Sequence, residues 1–180
     1  MRLIPVAAVI ALTLAAPVQA ALAPGAIAPD FSTHGAMAGA EIRVKLADLR
    51  KKGPVVLYFF PAAYTPGCNA EAKAFADNLD QFTAAGATVV GMSADPVSDL
   101  KRFSVSHCAG KFAVASASYA LIRRYDVALG QQINGRPAAS RTSYVIGRDG
   151  RILLAISDPA PGRHIRETLA MVQSIAKNGH

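Results

Sequence analysis

"VVLYFFPAAYTPGC", Val55 to Cys68, decides how the chain reads. The run Val55–Phe60 has no polar interruption, as expected of a central strand buried on both faces. Pro61 closes it. Thr65 and Pro66 then suit the N-cap and the first position of a helix. Cys68 falls in the first helical turn, beside free backbone N–H groups and the positive end of the helix dipole. Both favour thiolate over thiol. The Thr65 hydroxyl, one turn back, can accept from the thiol or donate to a bound oxygen. Pro61 has no N–H and is bulky, so it can wall the sulfur off from water. The competing reading of Cys68 is a small apolar filler at a helix start.

The rest of the composition narrows the chemistry. The chain has 180 residues, enough for one well-covered domain, and 52% of them are apolar. A formal charge of +7 is spread over scattered cations with few aromatics between them. That pattern gives a solvated basic surface and argues against a nucleic-acid partner. The two cysteines, Cys68 and Cys108, are too few for a disulfide scaffold and lack the spacing of a metal site, so neither metal nor cofactor is expected. Residues 1–20, "MRLIPVAAVIALTLAAPVQA", read as a cleaved signal peptide: an early cation at Arg2, an apolar stretch, and a small-x-small ending at Val18-Gln19-Ala20. The stretch is too short for a spanning anchor, so no stable membrane insertion is expected. The mature domain is residues 21–180, in the periplasm or otherwise exported.

Outward from the opening stretch, the pattern alternates. "CNAEAKAFADNLDQFTAAG" carries Ala72, Phe75, Leu79 and Phe82 at helical spacing and closes on Gly86. "ATVVGMSA" is a second buried strand. "DPVSDLKRFSVSHCAG" reads as a helix with Gly110 after its end, "KFAVAS" as a strand and "SYALIRRYDV" as a short helix. "RTSYVIGRDGRILLAIS" is a hairpin turning at Asp149-Gly150, and "GRHIRETLAMVQSIAK" a closing amphipathic helix. The expected order is β-α-β-α-β-α-β-β-α. Parallel strands joined through helices, with a late antiparallel edge, make an α/β fold with a mixed central β-sheet flanked by helices.

The spacing P-x-x-x-T-x-x-C in "PAAYTPGC" resembles the peroxidatic motif of the peroxiredoxins. "APDF" (Ala28–Phe31), "LADLRKKGPVVLYFFP", "CNAEAKAF", "GMSADPVSDLKRF" and "SRTSYVIGRDGRI" follow in the expected order. Together they are similar to the bacterioferritin-comigratory, or PrxQ, branch of the AhpC/TSA superfamily. The resemblance implies a thioredoxin-like fold, a thiol-dependent peroxidase, and a monomer. It makes Cys68 the peroxidatic cysteine, Thr65 the hydroxyl that orients the peroxide, Pro61 the shielding proline and Arg141, in "SRTSYV", the catalytic arginine. An arginine suits that role because its guanidinium is always charged and presents a rigid fork of donors. Glu71 either holds an arginine in place or answers the helix dipole. The four histidines, His34, His107, His164 and His180, receive no catalytic role.

The implied partners are hydrogen peroxide or an organic hydroperoxide, and a thioredoxin-like or other dithiol reductant. Here the sequence departs from the family. The residue five after Cys68, where many members carry a resolving cysteine, is Lys73, and the position after Phe103 is Ser104. Cys108, four residues beyond Ser104, lies on the same face if the helix continues. It reads as a displaced resolving cysteine or as a helix-end apolar residue in a one-cysteine enzyme. The alternatives to a peroxidase are a disulfide reductase, which the missing CxxC disfavours, and a non-catalytic redox sensor.

Overall fold

In a computed structural model, residues 21–178 are described; the segment read as a signal peptide lies outside them. The strands are β1 Ser32–Met37, β2 Ala40–Lys45, β3 Val55–Phe59, β4 Thr88–Ser93, β5 Ala113–Ser116, β6 Ala128–Ile133, β7 Arg136–Ala139, β8 Thr142–Ile146 and β9 Ile152–Ser157. The helices are α1 Leu46–Lys52, α2 Pro66–Asp77, α3 Leu79–Ala84, α4 Val97–Ser106, α5 Tyr119–Arg124 and α6 Pro161–Lys177. Seven strands form one sheet in the order β2-β1-β5-β4-β3-β8-β9. β3 pairs parallel to β4, and β4 parallel to β5; the outer strands are antiparallel. The expected mixed α/β sandwich is the observed one.

β3 runs through the middle of the sheet, and all five of its residues are buried. Its side chains divide by alternation. Val55, Leu57 and Phe59 enter one apolar cluster, with Tyr144, Ile146, Leu121 and Ile122. Val56, Tyr58 and Phe60 enter the other, with Phe75, Phe103, Ile165 and Val172 from α2, α4 and α6. Each such side chain taken fully from water contributes about 1.5–3 kcal/mol before entropy is charged against it. Both cysteines belong to the second cluster.

Three local features differ from the sequence reading. The helix expected to run through to Gly86 is interrupted at Asn78, whose amide nitrogen donates to the Ala74 carbonyl at 2.9 Å and whose amide oxygen accepts from Gln81. This local side-chain bonding competes with the helix ladder. Two hairpins also went unread. β1–β2 turns on Ala38 and Gly39, both at positive φ (50° and 79°), and β6–β7 turns on Asn134 and Gly135 (53° and 72°). Asn-Gly is a strong hairpin signal. It was masked because β6, "ALGQQI", is largely exposed and lacks apolar alternation. Finally, α4 stops at Ser106. The chain leaves it through Ala109 and Gly110, both left-handed, with the Gly110 N–H donating to the Ser104 carbonyl at 2.8 Å. Cys108 therefore sits in the turn after the helix, not on its surface.

Gly91 in β4 has a steric reason. A Cβ there would lie 2.7 Å from the Tyr58 ring and hydroxyl, and the Tyr58 ring stacks on Phe75 with centroids 4.4 Å apart. Replacement Gly91→Ala is expected to destabilise the fold by about 1–3 kcal/mol through overpacking. Urea unfolding measures this; an unchanged midpoint would show that the Tyr58 ring yields freely.

Candidate active site

The register of β3 against β8 assembles the site. The strands are antiparallel with Phe59 opposite Thr142, so Arg141 enters the sheet where β3 gives way to the loop carrying Cys68. Two segments about 70 residues apart in sequence are thereby fixed side by side. Cys68 is buried in the first turn of α2, whose N-cap position is Thr65 and whose first residue is Pro66. The Thr65 hydroxyl does not cap the helix. It donates to the Ala62 carbonyl at 3.1 Å, which leaves the first-turn N–H groups without a side-chain acceptor. Pro61 is half-buried, immediately beyond β3.

Arg141 is held on three sides. Its Nη2 donates to Cys68 Sγ at 3.6 Å, its Nη1 to Glu71 Oε2, and its Nε to the Pro159 carbonyl at 3.0 Å. The side chain is 9% exposed and that of Glu71 is 0% exposed. The guanidinium lies close to Gly67: a Cβ there would be 2.9 Å from Nη2. Of the two readings of Glu71, the structure selects the arginine anchor. Burial pushes the Glu71 carboxyl up to about 7, with Arg141 opposing the shift. Its Oε1 is buried with no hydrogen-bond partner among the described residues, so the cost of desolvation exceeds what one ion pair returns. The Glu71 charge in turn raises the Arg141 guanidinium above its ordinary value.

Sequence reasoning missed two residues that shape the loop. Asp95 is buried and accepts from the Ala63 N–H at 2.7 Å and the Ser93 hydroxyl at 2.7 Å, tying the Cys68 loop to the end of β4. Tyr64 sits at φ 66°, a conformation that costs a bulky residue about 1–3 kcal/mol. Its ring packs edge-on against Phe103 and His107, at 5.5 and 5.7 Å, which fixes it in place. "SAD" before a proline was the available signal for Asp95; the conformation of Tyr64 left none.

Cys108 is fully buried and, like Cys68, is a free thiol. Burial pushes its thiol up to about 12. A surface groove of about 370 Å³, lined by Asn69, Lys73, His107 and Ala109, runs between the residues that flank the two cysteines. Among the described residues no cluster of His, Cys, Asp and Glu could hold a metal ion, and no helix is long and apolar enough to cross a membrane.

Residues 24–155 match the AhpC/TSA family. The chain belongs to that family. Its curated relatives include Q-type peroxiredoxins: the chloroplastic peroxiredoxin Q of Suaeda salsa is 35% identical over 133 residues, 73% of this chain and 60% of that protein. A putative peroxiredoxin of Mycobacterium tuberculosis is 34% identical over 136 residues, 74% of this chain and 84% of its own. The chain spans 58–69% of the length of the chloroplastic relatives it matches. Among solved structures, peroxidoxin BcpB from M. tuberculosis superposes with a TM-score of 0.75 at 30% identity, covering 84% of this chain and 97% of its own. The bacterioferritin comigratory protein of Xanthomonas campestris gives 0.67 at 25% identity, covering 79% and 91%. The thioredoxin-like fold of these peroxiredoxins is the fold of this AhpC/TSA chain.

The buried pair sets a pH dependence. Glu71 is held above its ordinary value of 4.5, so the folded state binds its proton more tightly than the unfolded state. Its contribution to stability is full below about 4.5 and is lost as pH rises to about 7. Glu71→Gln is expected to flatten that slope, and Glu71→Ala to cost about 3–5 kcal/mol by stranding Arg141. Urea unfolding at several pH values checks both; an equal slope in Glu71→Gln would contradict the assignment.

Proposed function

We propose that the chain is a thiol-dependent peroxidase in which Cys68 is oxidised by peroxide and reduced through a disulfide. One observation carries the reading: Arg141 Nη2 faces Cys68 Sγ at 3.6 Å while its Nη1 donates to Glu71 and its Nε to the Pro159 carbonyl. A guanidinium so held has no reorganisation left to do when negative charge develops beside the sulfur.

The Cys68 thiolate attacks the terminal oxygen of a hydroperoxide. The S–O bond forms as the O–O bond breaks, giving cysteine sulfenic acid and an alkoxide or hydroxide. Arg141 stabilises that leaving oxygen until a solvent proton converts it to alcohol or water. The Thr65 hydroxyl, released from the Ala62 carbonyl, orients the incoming peroxide, and Pro61 shields the sulfur. The relation to a Xanthomonas protein whose structures concern alkyl peroxide reduction supports organic hydroperoxides beside hydrogen peroxide as substrates.

Cys108 resolves the sulfenic acid: its thiolate attacks Cys68 Sγ, the S–O bond breaks, hydroxide leaves and takes a solvent proton to become water, and a Cys68–Cys108 disulfide forms. An external dithiol then reduces the disulfide by exchange and is itself oxidised. A thiol at about 12 is a poor nucleophile, so the turn at 107–110 must open before it reacts. The left-handed pair Ala109-Gly110 and the early end of α4 support such opening. Export to the periplasm rests on the pattern of residues 1–20, and a monomeric state on the resemblance to this branch.

Cys68→Ser is expected to abolish peroxide consumption, and Cys108→Ser to leave the first oxidation intact while cutting dithiol-supported turnover by about tenfold or more. Peptide mapping of peroxide-treated protein under non-reducing conditions checks the pairing. Full turnover by Cys108→Ser would make this a one-cysteine enzyme.

A further inference from the structure

The strand that presents Arg141 and the loop that accepts from it meet at a third residue, His164, in the first turns of α6. The ring is fully buried. Its Nε2 lies 2.9 Å from the Asp158 carbonyl and its Nδ1 2.8 Å from the Ser143 hydroxyl. A carbonyl only accepts, so Nε2 carries the proton, and in the neutral ring Nδ1 accepts from Ser143. Burial holds the imidazole below its ordinary value, and the positive charges of Arg141 and Arg163 act in the same direction, against the opposing Asp158 contacts. The neutral ring with one fixed tautomer is therefore the working form near pH 7.

Both of its partners adjoin Arg141. Ser143 is two residues along β8. Asp158 precedes Pro159, whose carbonyl takes the Arg141 Nε, and the Asp158 N–H returns to the Arg141 carbonyl at 3.3 Å. Asp158 Oδ1 accepts from Ala160 N–H at 2.8 Å and closes the turn. The segment 158–160 is thus the third wall of the guanidinium site, opposite Glu71, and His164 is the side chain that joins it to the strand. A leucine of similar size could fill the space. It could not bond to two polar groups at once.

We propose that His164 is a positioning residue for the peroxidase reaction, holding the Pro159 carbonyl so that Arg141 aims Nη2 at Cys68. The proposal rests on the peroxidase reading above. It assigns His164 no contact with substrate, and its whole effect passes through Arg141.

That dependence makes it testable. Oxidation of Cys68 by hydrogen peroxide is followed by stopped flow in wild type, His164→Leu, His164→Gln, Arg141→Lys and the double variant His164→Leu/Arg141→Lys. His164→Leu should slow the step by about tenfold, the scale on which small misplacements of a reacting group register. His164→Gln, which keeps an N–H donor within reach of the Asp158 carbonyl, should stay within about threefold of wild type. In the Arg141→Lys background the leucine substitution should add less than about twofold, the mark of coupled residues. Ser143→Ala, which removes only the partner of Nδ1 and leaves the imidazole in place, should give an intermediate loss and serves if His164→Leu does not fold. A folded His164→Leu with the wild-type rate would overturn the proposal. So would equal losses in the leucine and glutamine variants, or losses from His164→Leu and Arg141→Lys that multiply. The alkylation rate of Cys68 by iodoacetamide reports the same guanidinium without any peroxidase activity. Wild type inert to peroxide would sink the peroxidase reading, and the alkylation series would still decide the role of His164.

Discussion

An ion pair taken out of water organises this molecule. Glu71 lies in a helix and Arg141 just before a strand far away in sequence, and both side chains are almost wholly enclosed. Such a pair returns little net stability, because desolvating two charges offsets most of their attraction. What it provides is direction. With Nη1 on Glu71 and Nε on the Pro159 carbonyl, the guanidinium is oriented so that Nη2 meets the sulfur of Cys68. Everything nearby serves this orientation. The register of β3 against β8 sets the distance, Gly67 leaves room for the nitrogen, and the turn at 158–160 supplies the far wall.

The loop between β3 and α2 is held as firmly as the arginine. Asp95 takes the Ala63 N–H, and Tyr64 is kept left-handed by aromatic packing against α4. The same contacts join the Cys68 loop to the helix that leads into Cys108. Reduced protein stores a modest conformational cost at Tyr64, and a protonated thiol at Cys108. In the proposed cycle, contacts that order the Cys68 loop also restrain the turn that holds Cys108.

Much of this architecture was legible in the sequence, for identifiable reasons. The apolar run 55–60, the Thr-Pro start of α2 and the Asp-Gly hairpin each rest on local physics that survives in the fold. Cys68 and Arg141 were found by pattern, and the structure brings them together. The two missed hairpins were hidden by composition: β1 carries Gly35 and Ala36, poor strand formers, and β6 carries Gly130 and is largely exposed. The end of α4 was misjudged because the left-handed turn there uses an alanine before its glycine. His164 receives no catalytic role from the sequence. A histidine's sequence does not say which carbonyl its ring will meet, and only the packing of α6 against β8 and the 158–160 turn supplies it.

The central claim is that a fixed guanidinium, and not the helix start alone, makes Cys68 reactive toward peroxide. The most direct measurement is the second-order rate of Cys68 oxidation by hydrogen peroxide in Arg141→Lys against wild type, at a pH where both are folded. Lysine keeps the charge but cannot reach Glu71, Pro159 and the sulfur together. The account predicts a loss of about a hundredfold or more, the scale seen when a preorganised donor is removed. A lysine variant within about twofold of wild type would contradict it and return the chemistry to the helix N-terminus.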